Sequence, residues 1–157
     1  MNKVFFLDRD GVINKKRSDY VKNVEELEIL PNLDTIIKKI KQNNYLVIVI
    51  TNQSVINRGL STHQKIQAIH EKIQSKLEMK IDGFFYCPHR PDEKCGCRKP
   101  KTGLLELAAT QFDIDFKNSW FIGDSESDIL AGEKMGCNTK KIKSEYFLEN
   151  AVNTILK

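Results

Sequence analysis

The sequence predicts an α/β fold, a parallel sheet with helices on both faces. Two observations carry this. Apolar runs rich in β-branched and aromatic residues alternate with segments of helical periodicity, which favours parallel pairing. The run Tyr45-Leu46-Val47-Ile48-Val49-Ile50-Thr51 has no polar face, as expected of a strand buried on both sides. The arrangement is Rossmann-like.

The elements follow in order. The first strand covers about residues 3–8 and the second 45–51. The third is Gly83-Phe84-Phe85-Tyr86-Cys87, the fourth Ser119-Trp120-Phe121-Ile122-Gly123, and a weaker strand near 138–142 closes one edge. Pro31 opens a helix with Leu33, Ile36, Ile37 and Ile40 on one stripe. Ser61-Thr62-His63-Gln64 is a capping-box pattern for a helix running to about Met79. Thr102 is placed to cap a helix to about Gln111. Ser125 or Glu126 begins another that stops at Gly136, and a last helix covers about 145–156.

With 157 residues and no linker or repeat, one domain over 1–157 is expected. No apolar stretch approaches the roughly 18 residues of a membrane span. Met1-Asn2-Lys3 leads straight into a strand, so no signal peptide is expected and the cytoplasm is the default location. The net charge of +4 is scattered over lysines such as Lys38, Lys39 and Lys41, with short clusters at Lys15-Lys16-Arg17 and Lys140-Lys141. None forms a basic stripe interleaved with aromatics, so nucleic acid is not expected as a partner, nor is a membrane. A monomer acting on a small phosphorylated metabolite is the expectation.

Ligands of open parallel sheets bind beyond the carboxyl ends of the strands. Asp8, Thr51, Cys87 and Asp124 all end or follow predicted strands, so four polar features converge on one edge. In Asp8-Arg9-Asp10-Gly11 the carboxylates are two apart, and extended backbone points both toward one pocket. Asp8 can ligate Mg²⁺ through one oxygen and attack phosphorus with the other. Asp10 can protonate the leaving alkoxide and then deprotonate water. Taken alone, Asp-x-Asp-Gly also reads as a polar turn. Asp124 can complete the Mg²⁺ shell, with Asp128 behind it as a supporting acceptor, although an acidic helix N-terminus explains Asp128 equally. Thr51, Asn52, Gln53 and Ser54 can hold phosphoryl oxygens; a simple turn is the plainer alternative. Lys99 beside Pro100 can fix positive charge against the developing phosphoryl charge, and Arg98 can bind phosphate or sugar hydroxyls as a fork. Lys101 reads as a solvated loop lysine.

Cys87-Pro88-His89 and Cys95-Gly96-Cys97 give a C-x-H-x₅-C-x-C pattern. Three thiols and one imidazole make a closed tetrahedral shell, which favours structural zinc over a chance group of reduced cysteines. The second pair runs directly into Arg98 and Lys99, so a zinc-stapled loop would hold those cations in place.

Together, Asp8-x-Asp10-Gly11, Thr51, Lys99 and Gly123-Asp124 with Asp128 resemble the four signatures of the haloacid dehalogenase (HAD) superfamily of aspartyl-phosphate phosphatases. The resemblance implies nucleophile Asp8, acid/base Asp10, and Mg²⁺ held by Asp8, the Asp10 carbonyl and Asp124. The Cys/His loop, with Leu7-Asp8-Arg9-Asp10-Gly11-Val12-Ile13-Asn14, is similar to the capless subfamily of D-glycero-D-manno-heptose-1,7-bisphosphate 7-phosphatases and histidinol-phosphate phosphatases. No separate cap domain is then expected. Loops near Lys15–Tyr20, Val55–Leu60 and the zinc site would cover the cavity. Thr51-Asn52-Gln53-Ser54-Val55-Ile56-Asn57-Arg58-Gly59 is closer to the heptose branch, though Val55 and Asn57 depart from it. By the same likeness Arg17 to Tyr20 would meet the sugar, although that segment departs in sequence. Arg58 reads either as a gate to the site or as a solvated loop arginine. Ser125 replaces a basic residue usual after the metal aspartate.

Other residues read as structural. His63 and His70 lie on a predicted helix as surface or partly packed side chains. Cys137 and Trp120 read as core, and Arg9 as a salt-bridge partner pointing away from the carboxylates. A rival class is a zinc-containing nucleic-acid or protein-binding module; carboxylates at the binding edge argue against it.

Overall fold

A computed structural model describes all 157 residues. Five parallel strands form one sheet: β1 Lys3–Leu7, β2 Tyr45–Asn52, β3 Gly83–Cys87, β4 Trp120–Gly123 and β5 Asn138–Lys141. Their order is β3-β2-β1-β4-β5. The chain therefore winds outward from β1 in one direction, returns, and winds outward in the other. The reversal lies between β1 and β4, the position where open sheets bind ligands.

The helices are α1 Leu33–Gln42, α2 His63–Ser75, α3 Gly103–Gln111, α4 Glu126–Lys134 and α5 Leu148–Ile155. Alternation along β1 splits the core into two layers. Phe5 and Leu7 pack with Val47 and Val49 against the apolar stripes of α1, α2 and α5. Val4 and Phe6 pack with Ile48 and Ile50 against Leu104, Leu105 and Ala108 of α3 and Ala131 of α4. Each fully buried isoleucine contributes about 1.5–3 kcal/mol through the area it removes from water. Cys137 belongs to the second layer as expected, whereas Trp120 is only half-buried at the margin of the first.

Helix ends depart from the sequence expectations. Thr62, not Ser61, caps α2: its hydroxyl accepts from the Lys65 amide (3.2 Å), while Ser61 donates to the Lys22 carbonyl (2.6 Å). The helix stops at Ser75 rather than near Met79. There Gln74 folds back, donating to the Met79 carbonyl (3.2 Å) and accepting from the Ile81 amide (2.9 Å), and leads the chain into β3. Thr102 makes no backbone cap and donates instead to Glu106 (3.1 Å). Residues 145–147 form a 3-10 turn ahead of α5. Ser119 lies just before β4, where its hydroxyl accepts from the Val4 amide (2.9 Å) and ties β1 to the start of β4.

At Gly132, α4 rides directly on the sheet. A Cβ there would lie 2.9 Å from both Phe121 Cβ and Thr139 Cγ2. Gly132→Val is expected to lower stability by about 1–3 kcal/mol through overpacking, read as a lower urea midpoint with unchanged slope.

Candidate active site and metal centre

β1 ends at Leu7, and the chain turns at once: the amides of Val12, Ile13 and Asn14 all reach back to the Arg9 carbonyl (2.8–3.3 Å). Gly11 carries the turn past β4 with φ +84°, and a Cβ there would stand 2.2 Å from Asp124 Oδ2. The tight turn, rather than strand alternation, therefore brings Asp10 into one cavity with Asp8 and Asp124.

Lys99 is the centre of the arrangement. Its ammonium is buried and donates to Asp8 Oδ1 (3.0 Å), Asp128 Oδ1 (2.5 Å) and the Ile50 carbonyl (2.8 Å), so its three donors meet three acceptors. The Arg9 amide also donates to Asp8 Oδ1 (2.8 Å), leaving Oδ2 as the oxygen turned to the cavity. Asp128 is fully buried, and its Oδ2 accepts from the Ser125 amide (3.2 Å) and hydroxyl (3.0 Å). One oxygen from each of Asp8, Asp124 and Asp128 lies within 4.8 Å of the others. Three carboxylates share this small volume with the Lys99 ammonium, and the exposed Lys16 ammonium reaches Asp124 from the rim (3.3 Å). Carboxylate oxygens so grouped suit a hard divalent cation such as Mg²⁺. Burial pushes Asp8 up to about 7, against the lowering pull of Lys99, and the neighbouring carboxylates add to the rise. A cation at this point would favour the ionised form.

Asp10 differs. Burial opposes its charge, but the Arg9 guanidinium and hydrogen bonds from Asn14, Gln53 and Arg9 outweigh it and hold the carboxyl below its usual range. Asn14 Nδ2 donates to Oδ1 and Gln53 Nε2 to Oδ2, each at 2.9 Å.

These residues floor a cavity of about 320 Å³, walled by Thr51, Asn52, Ser54, Arg98, Lys16, Arg17, Ser18 and Tyr20, with Ser125 and Ser127. Asn52 clamps the Lys99 backbone on both sides, accepting from its amide (3.0 Å) and donating to its carbonyl (3.3 Å). Two predicted substrate contacts lie elsewhere. Gln53 is buried outside the cavity wall and braces Asp10 and the Thr51 hydroxyl (2.9 Å each). Arg58 stands outside the lining, its guanidinium 5.6 Å over the Tyr20 ring and its Nε bonded to Ser54 (3.0 Å). The Val55–Leu60 loop likewise contributes nothing to the wall.

Arg9 also corrects the sequence reading. In the turn its side chain folds back on Asp10, with Nη2 at 3.0 Å from Oδ1, and the guanidinium is fully buried. Lys16 was read as part of a charge cluster and of a covering loop but given no contact of its own, yet its ammonium lies 3.3 Å from Asp124 Oδ2. Its position six residues beyond Asp10 was the available signal.

The cysteine loop closes as its spacing suggested. Cys87 Sγ lies 3.3 Å from His89 Nδ1, 3.6 Å from Cys95 Sγ and 3.0 Å from Cys97 Sγ, and His89 Nδ1 lies 3.2 Å from Cys97 Sγ. All four cysteines of the chain are free of disulfides. Three thiols and one imidazole gathered within 4.8 Å are the donor set that suits zinc, although Cys87 and Cys97 stand closer than the roughly 3.8 Å between sulfurs of a tetrahedral zinc shell. The Arg98 amide donates to Cys95 Sγ (3.4 Å), and Arg98 Nη1 reaches the His89 carbonyl (3.3 Å). At Gly103 the start of α3 packs so closely that a Cβ would meet the Gly96 carbonyl oxygen at 2.4 Å. Lys101 is exposed and donates to the Cys95 carbonyl.

A family model described as polynucleotide kinase 3 phosphatase matches residues 3–150. The chain belongs to this family. It lies within the HAD superfamily, and its parallel five-stranded sheet is in keeping with that fold. The D-glycero-β-D-manno-heptose-1,7-bisphosphate 7-phosphatase of Helicobacter pylori strain 26695 is 39% identical over 98% of this chain and 88% of its own length. The α-anomer counterpart of Campylobacter jejuni is 44% identical over 83% of this chain and 76% of its own. A crystal structure of the D,D-heptose 1,7-bisphosphate phosphatase of Bordetella bronchiseptica, complexed with magnesium and phosphate, superposes with a TM-score of 0.85. It has 32% identity and covers 97% of this chain and 86% of its own.

His70 of α2 stands behind the family's first aspartate pair. It is buried, stacked on Phe84 with centroids 4.6 Å apart, and its Nε2 lies 3.2 Å from Arg9 Nη1. Burial, reinforced by Arg9, pushes its imidazole down to about 3 from 6.5. The unfolded chain takes up this proton near pH 6.5 and the folded chain only near 3, so stability falls as pH drops between them. Urea titrations at pH 6 and pH 4 are expected to show a loss of up to about 1.4 kcal/mol per pH unit that His70→Gln lacks.

Proposed function

We propose that the chain is a Mg²⁺-dependent phosphomonoesterase that removes the 7-phosphate of D-glycero-D-manno-heptose 1,7-bisphosphate through a phosphorylated Asp8. The observation that carries the reading is the buried Asp8–Lys99–Asp128 set beside Asp124, in one cavity with Arg98. The relatives supply the sugar, and favour it over histidinol phosphate. A single domain over 1–157, working as a cytoplasmic monomer on a soluble metabolite without nucleic acid or membrane, completes the reading. No helix is long and apolar enough to cross a membrane.

Asp8 Oδ2 attacks phosphorus while Oδ1 stays on Lys99. The phosphorus–ester oxygen bond breaks, its electron pair goes to the sugar oxygen, and Asp10 supplies the proton. A water molecule then attacks phosphorus, Asp10 takes its proton, and the acyl-phosphate bond returns its electrons to Asp8. Asp10 is held ionised in the free chain, which suits the second step. An entering phosphate dianion disfavours that charge and so favours the protonated form needed for the first. Lys99 cannot swing away from its three acceptors and so acts as a fixed charge beside the phosphoryl group. Thr51, Asn52, Ser54 and Arg98 are placed to receive phosphoryl or sugar oxygens, and Lys16, Arg17 and Tyr20 to meet the sugar side. Mg²⁺, held by Asp8, the Asp10 carbonyl and Asp124 with Asp128 behind, would neutralise phosphoryl charge. Cys87, His89, Cys95 and Cys97 would hold Zn²⁺ as a structural crosslink that fixes Arg98 and Lys99.

Asp8→Asn is expected to abolish phosphate release from heptose 1,7-bisphosphate, by at least about 10⁴-fold in kcat, with an unchanged circular dichroism spectrum. Retained turnover would reject the covalent route. Metal analysis after Mg²⁺ removal is expected to find about one zinc per chain. Cys95→Ser should lose that zinc and melt at lower temperature; a zinc-free native chain with the same melting point would remove the loop from the mechanism.

A further inference from the structure

We propose that His70 is a positioning residue for Asp10, acting through the Arg9 guanidinium. The inference rests on the phosphatase reading and assigns a part of its acid step to α2, an element that supplies no side chain to the cavity wall.

The geometry is a short buried chain. Arg9 Nε and Nη2 clasp Asp10, with distances of 3.3 and 3.0 Å to Oδ1 and 3.3 Å from Nη2 to Oδ2. Nη1 points the other way, to His70 Nε2 at 3.2 Å. A guanidinium can only donate, so Nε2 must be the unprotonated ring nitrogen and Nδ1 carries the hydrogen. His70 is thus a fixed acceptor. Its ring is clamped flat against Phe84 (interplanar angle 14°) and edge-on to Tyr86 at 5.8 Å, both on β3. Tyr86 is tied in turn to His63 Nδ1 through its hydroxyl at 2.9 Å.

The consequence is orientational. Asp10 lies within a turn, not a strand, so backbone direction alone does not aim its carboxyl. Asn14 and Gln53 hold one oxygen each, and Arg9 holds both. Arg9 itself is aimed by what anchors its far end. Removing the acceptor at residue 70 leaves a buried N–H unpaired, and the guanidinium must re-aim or admit water. Either change moves the carboxyl relative to the departing oxygen, and general acid catalysis is sensitive to that placement.

A merely structural role would weaken every substrate alike; a positioning role would not. A sugar alkoxide must be protonated as it leaves, whereas p-nitrophenolate leaves without a proton. The value of kcat/KM covers only steps through the first irreversible bond cleavage, and so isolates the acid step. The experiment measures kcat/KM of the Mg²⁺- and Zn²⁺-loaded full chain for heptose 1,7-bisphosphate and p-nitrophenyl phosphate, in wild type, Asp10→Asn, His70→Phe and His70→Gln. His70→Phe keeps the stacking and deletes the acceptor; it is expected to lose about tenfold or more on the sugar phosphate, part of the roughly 10²–10⁴-fold of general acid catalysis. Its loss on the aryl phosphate should stay within about twofold, as should that of His70→Gln, which restores an acceptor, on both substrates. Asp10→Asn should show the same discrimination more strongly. Equal losses of His70→Phe on both substrates, with wild-type turnover intact, overturn the inference alone. A wild-type chain that hydrolyses neither ester overturns the phosphatase reading beneath it. If His70→Phe does not fold, His70→Leu carries the same comparison, since leucine likewise offers no acceptor to Arg9 Nη1.

Discussion

The buried ion pair of Lys99 with Asp8 and Asp128 is the constraint on which the site depends. An ammonium in the protein interior is tolerated only when its donors are met, and here all three are. That satisfaction locks β2, through the Ile50 carbonyl, to the end of β1 and the start of α4. The cavity lining carries four carboxylates, Asp8, Asp10, Asp124 and Asp128, and four cationic side chains, Lys16, Arg17, Arg98 and Lys99. Within it Asp8, Asp124 and Asp128 stand closest together, and Lys16 reaches Asp124 from an exposed loop. That concentration of oxygen donors suits a divalent cation. Burial, ahead of the neighbouring carboxylates, is what raises the Asp8 carboxyl.

Position is the other half of the problem, and the cysteine loop addresses it. Lys99 reaches the sheet from a segment with little apolar material of its own; Arg90 to Lys94 is all charge and proline. Such a loop cannot bury enough surface to order itself. Three supports replace the missing core. The Cys/His quartet gathers the loop against the end of β3, where a bound zinc would crosslink it, Asn52 holds the Lys99 backbone from the end of β2, and the start of α3 presses against Gly96. Cys97 and Lys99 are two residues apart, so a metal on the quartet would help to fix the Lys99 ammonium.

Much of this was legible from the sequence, and the reasons are physical. Strands buried on both faces leave unbroken apolar runs, and polar residues at their exits stand out against them: Asp8, Thr51 and Asp124 were found this way. The cysteine quartet was legible because its spacing alone closes a coordination shell. What escaped depends on contacts made only after folding. Arg9 was placed by strand alternation, but β1 ends at Leu7, and the turn brings the guanidinium back onto Asp10. Gln53 sits among cavity residues in sequence yet turns inward to brace Asp10. The end of α2 was set not by helix propensity but by Gln74 bonding to the chain ahead of β3.

The family description speaks of a polynucleotide phosphatase, while the relatives act on a heptose bisphosphate. The two agree once chemistry and selection are separated. In the proposed mechanism Asp8, Asp10 and Lys99, with Asp128 behind, would act on the phosphoryl group and its ester oxygen, and those atoms are common to both substrates. Selection would then fall to the rest of the lining, chiefly Lys16, Arg17, Ser18, Tyr20 and Arg98. That first loop is not a slack lid. Tyr20 holds a left-handed backbone (φ 68°), a conformation costing a tyrosine about 1–2 kcal/mol. Lys22 grips the Asp19 and Tyr20 carbonyls (3.1 and 3.3 Å), and Arg17 reaches both Asp19 and Glu26. A loop preset in this way admits a compact, polar molecule into about 320 Å³ without first being ordered by it. A nucleic-acid strand would instead need an open basic track continuing outward from the cavity. The basic residues of this loop are instead paired with carboxylates, Lys16 with Asp124 and Arg17 with Asp19 and Glu26, and that favours the small sugar phosphate.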